Sequence, residues 1–416
     1  MPPHRSIPNQ QPDQTLPRPP EPRQGPRPLL LHLMTEAMIL GGCCSVSQVL
    51  RNGSPYWNDR LPPAARLDQN GFALALEEEA RQRYATFLQG ITRYRQYRLP
   101  RRLAPPPLFW QAGTSRLHQF SEHGIPVLLI PSLVNRAVIL DLTGSRSLVR
   151  YMARRGIRPF LMDWDTPGPE EIHFSLADYI QRRLIPAAQA IHTESGQPPI
   201  ILGYCMGGLL ALALALCRPD LCAGYIGLAT PWDFHAGLDN GRAALRTVAP
   251  HLSTLIHKTG FMATDLIQAL FSMLDPSTVG KKFRAFANMQ PRSTRANMFV
   301  AVEDWLNDGV PLAGPVAQEC LIDWYVHNKP ARKQWTVGGT RIAPDMLKAP
   351  SLLVIPTQDQ IVPPDCAHAL AKALPNPQTQ EVHLGHIGMV TGHTAPYAMY
   401  RPLVQWIHDA ASQDRR

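Results

Sequence analysis

Cys205 stands in a Gly-Tyr-Cys-Met-Gly segment that begins at Gly203 and ends at Gly207. Residues 199–202 before it are apolar and predict a buried strand, whereas residues 209–216 after it predict a buried helix. A sharp strand-to-helix turn strains its central residue, so the flanking positions need glycine to avoid clashes. The spacing predicts a nucleophilic cysteine presented on this turn. The alternative is a plain buried cysteine in a glycine-rich connection.

A thiol nucleophile needs a base that takes its proton and a third group that holds the base in the right tautomer. Asp359 lies two residues beyond an apolar strand at 351–357, and His386 directly follows a last strand at 380–384. The order nucleophile, acid, histidine is that of the α/β-hydrolase fold, where acid and base lie on loops after late strands. We therefore predict a triad of Cys205, His386 and Asp359.

Both partners of the cysteine have rivals. Of the histidines after Asp359, only His386 lies on a glycine-flanked loop at the carboxyl end of a strand, where open α/β sheets bind ligands. The other histidines there are His368, His383, His393 and His408. Asp365 follows two prolines and is typical of a helix N-cap. Asp163 also ends a strand but precedes the nucleophile, which breaks the expected order.

Acyl transfer also requires backbone N–H groups that stabilise a tetrahedral oxyanion. One normally comes from the residue after the nucleophile, here Met206, and the other from the loop after an early strand. That loop is predicted at residues 131–136. Within it we favour Val134, with Leu133 close behind.

The elements that must position these residues alternate between short apolar strands and helices from about residue 102. Such alternation predicts an α/β fold with a mainly parallel sheet covered by helices. The strand signal is lost between 231 and 328, where apolar residues recur at helical spacing and predict an inserted helical cap. The expected units are a Pro-rich tail with a short helix (1–60), an Arg-rich helical segment (61–104), the two core halves (105–230 and 329–416) and the cap (231–328).

The N-terminal part differs in composition from the core. Residues 1–28 contain ten prolines and almost no large apolar residues, which favours a flexible tail. Seven arginines and no acid lie between Arg81 and Arg102, within a net charge of +9. They could meet coenzyme phosphates, an anionic granule or membrane surface, or nucleic acid; the alternative is a solvated helix face. No nucleic-acid-binding motif accompanies them, so we expect no nucleic-acid partner.

The seven cysteines form no C-x-x-C pair and no metal-ligand spacing with histidine, which favours free thiols in the cytoplasm and no metal site. No secretory signal is evident. The apolar stretch 29–44 is interrupted by His32 and Glu36, so no transmembrane segment is expected.

Several segments together resemble the polyhydroxyalkanoate synthases, α/β-hydrolase-fold enzymes that polymerise (R)-3-hydroxyacyl-CoA thioesters. The likeness covers roughly residues 105–400. Its segments are Pro131-Ser-Leu-Val-Asn-Arg136 with Ile139-Leu-Asp-Leu142, Leu161-Met-Asp-Trp164, Gly203 to Gly208, Ala229-Thr-Pro-Trp-Asp-Phe234, Trp305-Leu-Asn-Asp308, Asn328-Lys329, Val337-Gly-Gly339, Asp359-Gln-Ile-Val-Pro363 and Gly385-His-Ile387. Cysteine rather than serine on the turn makes the likeness specific. Carried over, the family's triad falls on Cys205, Asp359 and His386.

The resemblance implies an acyltransferase whose substrate is a hydroxyacyl-CoA, with no separate cofactor. It further implies a cytoplasmic or granule-associated protein that works at a polyester surface, either as a homodimer or with a second synthase subunit. The chain departs from the family at Gln360, where histidine is common, and at Asp165, where glycine is usual. It also lacks the long N-terminal domain of many single-component synthases, so the shorter synthases match it better in size.

A cysteine suits this chemistry because its thiolate exchanges with a CoA thioester at little cost in energy and keeps the acyl group activated. Attack by a 3-hydroxyl group then gives an ester, whereas attack by water gives a free acid. The triad alone does not distinguish these outcomes. A cysteine hydrolase, such as an intracellular depolymerase or a thioesterase, is therefore the second hypothesis, and a non-catalytic granule-associated protein is the third.

Overall fold

A mainly parallel sheet forms the centre of the structure, a computed structural model that describes residues 23–51, 69–99, 103–237 and 239–413. Its strands are β1 (Leu108–Ala112), β2 (Ser115–Gln119), β3 (Ile125–Ile130), β4 (Ile157–Asp163), β5 (Ile200–Tyr204), β6 (Gly224–Leu228), β7 (Ser351–Pro356) and β8 (Gln378–Val382). In space they follow the order β1-β2-β4-β3-β5-β6-β7-β8. The pairs β1/β2 and β2/β4 are antiparallel, and the remaining neighbours are parallel.

The central strands are buried along their whole length, as expected for a parallel sheet covered on both faces. Two apolar clusters lie on the two faces: β3 gives Leu128 and Ile130 to one, and Val127 and Leu129 to the other. Because these strands are parallel, the loops that follow β3, β5, β7 and β8 emerge at the same edge of the sheet, at the carboxyl ends of the strands. This edge is where the sequence placed all three triad residues.

Helices cover both faces of this sheet. The core helices are α3 (Leu148–Ala153), α4 (Leu176–Tyr179), α5 (Ile185–Ser195), α6 (Met206–Cys217), α12 (Pro364–Ala373), α13 (Gly388–Thr391) and α14 (Arg401–Gln413). Wider π-helical turns join α4 to α5 at Ile180–Leu184 and precede α14 at Pro396–Tyr400. α6 follows Cys205 directly, and its residues 206–215 are all buried.

The inserted cap is helical, as predicted. It contains α7 (Asp239–Thr259), α8 (Thr264–Ser272), α9 (Thr278–Ala287), α10 (Thr294–Asn307) and α11 (Gly314–Gln318), followed by a π-helical turn at Glu319–Val326. Gly260 adopts a left-handed φ of +78° directly after α7, so α7 and α8 are separate helices. A two-residue strand after this break, Phe261–Met262, pairs with Leu312–Ala313.

Two long helices precede the core, α1 (Leu29–Arg51) and α2 (Gln69–Gln96). They pack on the cap through an aromatic cluster that includes Phe87, Tyr94 and Phe283. By length and composition, one described helical stretch, Leu29–Val46, could cross a membrane, and 17% of it is buried. Its two ionisable residues, His32 and Glu36, are buried against the protein rather than exposed.

Residues 23–28 differ from the flexible tail that the sequence predicted. The Arg23 side chain forms an ion pair with Asp304 of α10, with 2.6 Å between Nε and Oδ1. Arg27 reaches Asp265 at 2.8 Å. The tail prediction was wrong for these six residues because their arginines have acidic partners far away in sequence. Residues 1–22 and 52–68 lie outside the described part of the chain.

Most described arginines of the 81–102 segment have partners within the protein. Arg81 and Arg83 pair with Glu78 and Glu79 one turn earlier. Arg93 donates to the Phe286 and Ala287 carbonyl oxygens. These contacts favour the solvated helix face over a dedicated anion site. Arg101 and Arg102 lie outside the described residues.

Two local features were not foreseen. The β1–β2 hairpin adds an antiparallel edge before the first predicted strand. Residues Ala137–Leu140 form a 3₁₀ turn after the loop at 131–136.

Candidate active site

The backbone at Cys205 has the strain that the sequence predicted. Its φ is +56° and its ψ is −127°, a region that residues with a side chain rarely adopt. A Cβ on Gly203 would lie 2.3 Å from the Gly207 carbonyl oxygen, and one on Gly207 would lie 2.0 Å from that of Ile130. Only glycine fits at either position. The thiol is thereby fixed at the carboxyl end of β5 and at the N-terminus of α6.

His386 and Asp359 come together as predicted. The imidazole Nδ1 lies 2.6 Å from Oδ2 of Asp359, and both side chains are buried. Oδ1 of Asp359 accepts the backbone N–H groups of Ile361 and Val362, at 2.8 and 2.9 Å. These two bonds orient the carboxylate, so its other oxygen faces the imidazole.

The Cys205 sulfur lies near enough to the imidazole to act on its charge. Burial alone would lower the pKa of His386, but the adjacent Cys205 sulfur and the Asp359 carboxylate overcome it and raise that pKa to about 10. A raised pKa keeps the imidazole protonated at neutral pH. The structure therefore brings the three predicted residues together at one edge of the sheet.

Tyr204, the residue before Cys205, contacts His386 and helps to hold it in place. Its hydroxyl donates to the His386 carbonyl oxygen at 3.0 Å, and its ring lies 5.2 Å from the imidazole between centroids. This role was not predicted from the sequence. An aromatic residue beside the cysteine was visible, but a bond to a loop 182 residues away leaves no local signal.

The loop at residues 131–136 lies beside the nucleophile, because β3 pairs directly with β5. Trp164 Nε1 donates to the Pro131 carbonyl oxygen at 3.1 Å, and Trp305 Nε1 donates to that of Arg136 at 2.8 Å. Val134 accepts the N–H of Val310 at 3.0 Å. Trp164 of the core and Trp305 of the cap thus fix the two ends of this loop. Both tryptophans belong to segments of the family resemblance, but their contacts with this loop were not predicted from the sequence.

The two predicted oxyanion donors differ in their surroundings. Met206 is the first residue of α6, where the helix itself offers no acceptor for the backbone N–H. The Val134 N–H makes a long 3.4 Å contact with Ser132 Oγ within its own loop. Leu133, the alternative to Val134, is buried. The assignment of these N–H groups to an oxyanion site stays a prediction.

The two departures noted in the sequence have structural counterparts. Asp165 adopts a left-handed φ of +55°, which glycine accommodates easily and aspartate tolerates. Its carboxylate pairs with Arg136 at 3.0 Å and Arg116 at 3.2 Å, and thereby supports the loop at 131–136. Gln360 is exposed and lies beside the buried Asp359.

The alternative acids and histidines contact other parts of the protein. Asp163 accepts the backbone N–H of Asp165, and Asp365 lies in the first turn of α12. His368 faces Glu381, and His408 contacts the Arg155 carbonyl oxygen. His383 contacts Thr357 and Gln358 just beyond β8. Within the described residues, no group of three or more His, Cys, Asp or Glu side chains could hold a metal ion.

The sheet, the strained turn and the inserted cap define a class of protein. A sequence model of the alpha/beta hydrolase fold family matches residues 125–392, and the chain belongs to this family. This match confirms the predicted fold class.

Among curated proteins, the chain is similar to several poly(3-hydroxyalkanoate) polymerase subunits named PhaC. It is 27% identical to that of Haloferax mediterranei over 293 residues, covering 69% of this chain and 59% of that protein. It is 26% identical to that of Haloarcula marismortui over 298 residues, covering 70% and 62%. For Synechocystis the identity is 28% over 294 residues, covering 68% and 78%.

The predicted resemblance to the polyhydroxyalkanoate synthases is confirmed by these similarities. The chain spans less than two thirds of the first two relatives. Among solved structures, the monoacylglycerol lipase of Paleococcus ferrophilus superimposes with a TM-score of 0.43 and 18% identity, covering 71% of this chain and 99% of that one.

Proposed function

We propose that this chain is an acyltransferase of the polyhydroxyalkanoate synthase type. It moves (R)-3-hydroxyacyl groups from CoA thioesters, through a thioester on Cys205, to a growing polyester chain. The observation that carries this proposal is the buried His386–Asp359 pair next to the half-buried Cys205, in a chain whose curated relatives are named polymerase subunits. Cys205 is the nucleophile, His386 the acid and base, and Asp359 the group that orients His386.

In the first half-reaction, the Cys205 thiolate attacks the carbonyl carbon of the acyl-CoA. The bond between that carbon and the CoA sulfur breaks, and the departing CoA thiolate takes the proton of the His386 imidazolium. The products are an acylated Cys205, free CoA and a neutral imidazole. The helix α6 begins at the sulfur, so its positive end favours the thiolate before attack.

Acylation of Cys205 changes the basicity of His386. The Cys205 charge is the strongest of the influences that raise the pKa of His386, and acylation removes it. Burial then lowers the pKa, with Asp359 alone opposing it. His386 therefore becomes able to accept the proton of a 3-hydroxyl group as that oxygen attacks the acyl carbon. The new ester forms, the Cys205 thiolate leaves, and the imidazolium is restored.

Both half-reactions pass through a tetrahedral oxyanion. We assign its stabilisation to the backbone N–H groups of Met206 and Val134, for which each donor typically contributes a rate factor of about 10² to 10³. The position of β3 beside β5 supports this pairing, since both N–H groups belong to the same edge of the sheet. The Val134 N–H must exchange its long contact with Ser132 for the oxyanion.

Transfer rather than hydrolysis requires that the acylated cysteine meets an alcohol before water. Cys205 is half-buried and packs against the large apolar cluster on one face of the sheet, which contains Phe234 and Trp324 and against which Tyr325 also packs. An apolar surrounding of this kind excludes water and protects a reactive thioester. This packing favours the acyltransferase over the cysteine hydrolase.

The test incubates the purified chain with (R)-3-hydroxybutyryl-CoA and measures free CoA, soluble 3-hydroxybutyrate and insoluble polyester. The proposal predicts CoA release together with polyester, and neither from Cys205→Ala. Release of CoA with soluble acid alone would identify the hydrolase instead. Because the relatives are named subunits, the assay is repeated with a purified second synthase subunit, and polyester formed only then assigns the chain a partner.

A further inference from the structure

The two ends of the inserted cap contact each other through side chains. The cap begins after β6 at residues 233–235 and ends at residues 326–328. Asn328 Nδ2 donates to Asp233 Oδ1 at 2.7 Å, and the Phe234 backbone N–H donates to Asn328 Oδ1 at 3.0 Å. The His235 ring nitrogen Nε2 lies 3.3 Å from the Val326 carbonyl oxygen. We name Asp233, Phe234, His235, Val326 and Asn328 the cap clasp.

Asn328 is central to the cap clasp because both ends of its amide are used. The residue is buried, and its φ of +53° is left-handed, a conformation that asparagine adopts more readily than most residues. Asp233 Oδ1 also accepts the His235 backbone N–H at 2.9 Å. A single amide thus fixes the start of the cap to its end, within the core rather than at the surface.

The cap clasp adjoins a group of packed aromatic side chains. The Phe234 ring stacks on Trp324 with 5.6 Å between centroids and meets Tyr325 edge-on at 4.9 Å. Trp324 in turn meets Trp335 at 5.2 Å. Tyr325 and Cys205 both pack against the large apolar cluster on one face of the sheet. We name Phe234, Trp324 and Tyr325 the wall; its residues lie next to the cap clasp in sequence.

The cap clasp also contacts α12, the helix that follows Asp359. The Asp233 backbone N–H contacts the Cys366 carbonyl oxygen at 3.4 Å, in the helix that follows Asp359. Burial raises the pKa of the Tyr325 hydroxyl, and the nearby Cys205 raises it further. The second observation places Tyr325 of the wall near the Cys205 sulfur.

We propose that Asn328 is a positioning residue: its amide holds the two ends of the cap together, and so keeps the wall of Phe234 and Tyr325 closed over Cys205. The inference rests on the proposed function only for its effect on products, because access to the Cys205 sulfur can be measured without turnover. Asn328 touches neither substrate nor the reacting atoms, and it acts through the wall.

The first test compares wild type with Asn328→Gly. Glycine accepts the left-handed backbone and removes both amide bonds without adding a charge, so the variant retains the local backbone geometry. We expect a bulky maleimide to modify Cys205 about tenfold faster in the variant, because the closed wall is less populated. Iodoacetamide, which is small, should change by less than about twofold. The rate at Cys205 is read by mass spectrometry of its peptide.

A matched control is Asn376→Gly. Asn376 also has a left-handed φ, of +50°, but is exposed on the turn before β8, away from the cap. The Asn376→Gly variant should leave the maleimide and iodoacetamide rates at Cys205 unchanged. Equal bulky-to-small rate ratios in wild type and in a folded Asn328→Gly would overturn the proposal.

A second test uses an exchange of charge. Asn328→Asp places a carboxylate against the Asp233 carboxylate and should open the wall at least as much as Asn328→Gly. Adding Asp233→Asn restores one amide and one carboxylate, so the double variant should recover part of the wild-type protection. In turnover assays, the opened variants should release a larger fraction of soluble acid. Failure of the exchange to restore any protection would contradict the pairing, whatever the fate of the proposed activity.

Discussion

The turn that carries Cys205 and the cap clasp hold their residues by different physical means. The turn depends on backbone sterics: a Cβ at Gly203 or Gly207 would overlap backbone atoms at 2.3 and 2.0 Å. The cap clasp depends on side-chain hydrogen bonds across 95 residues of sequence. The backbone of the turn places the nucleophile, whereas one side-chain amide joins the two ends of the cap.

The largest effect is expected from breaking the turn. Gly207→Ala puts a methyl group against the Ile130 carbonyl oxygen, which cannot move without disturbing the β3–β5 pairing. We expect the free energy of unfolding to fall by about 3 kcal/mol or more, with loss of activity. Urea titration followed by circular dichroism measures this.

The control for this change is Gly42→Ala in α1. A Cβ there meets no atom within 4 Å, so alanine should be neutral or stabilise by about 0.5 to 1 kcal/mol through its better helix propensity. Similar small effects at both glycines would show that the turn is not sterically locked.

The second largest effect is expected at the His386–Asp359 pair next to Cys205. Asp359→Asn removes the carboxylate that helps raise the pKa of His386, so that pKa should fall. In wild type, the His386 imidazole should stay protonated up to about pH 10. In Asp359→Asn it should lose its proton at lower pH, as measured by NMR titration of the imidazole.

Turnover by Asp359→Asn should decrease about 10²- to 10⁴-fold. Asp365→Asn, in the nearby first turn of α12, is the control and should keep the wild-type pH profile. If the titration of His386 were the same in all three proteins, Asp359 would not raise the pKa of the imidazole.

The smallest effect is expected in the loop at 131–136. Trp305→Phe keeps most of the buried ring but loses the 2.8 Å bond to the Arg136 carbonyl oxygen. We expect a loss of about 1 kcal/mol in stability and a fall in kcat of a few-fold, with KM little changed. Trp406→Phe, in α14, should affect stability without changing kcat. A change in KM alone would place Trp305 in substrate binding rather than in support of the loop.

The parts of the site that the sequence predicted share one property: each leaves a local pattern. Glycines at fixed offsets from Cys205 are required by the turn, and Asp359 and His386 directly follow strands whose apolar runs are easy to recognise. Long buried strands and the helical cap were predictable for the same reason. Element order then brings these residues to one edge of the sheet.

What the sequence did not predict depends on contacts between distant residues. The bond from Tyr204 to the His386 carbonyl oxygen and that from Trp305 to Arg136 join residues 182 and 169 positions apart. Docking of Arg23 on Asp304 is of the same kind. The β1–β2 hairpin was missed because its short strands are only half-buried and alternate weakly.

The central claim is that the acyl group passes through the Cys205 sulfur. The most direct measurement is mass spectrometry of the protein, quenched in acid after brief incubation with (R)-3-hydroxybutyryl-CoA and digested. We predict hydroxyacyl adducts on the peptide that contains Cys205, present in wild type and absent in Cys205→Ala. Polyester formed by Cys205→Ala, or adducts found only on another residue, would contradict it.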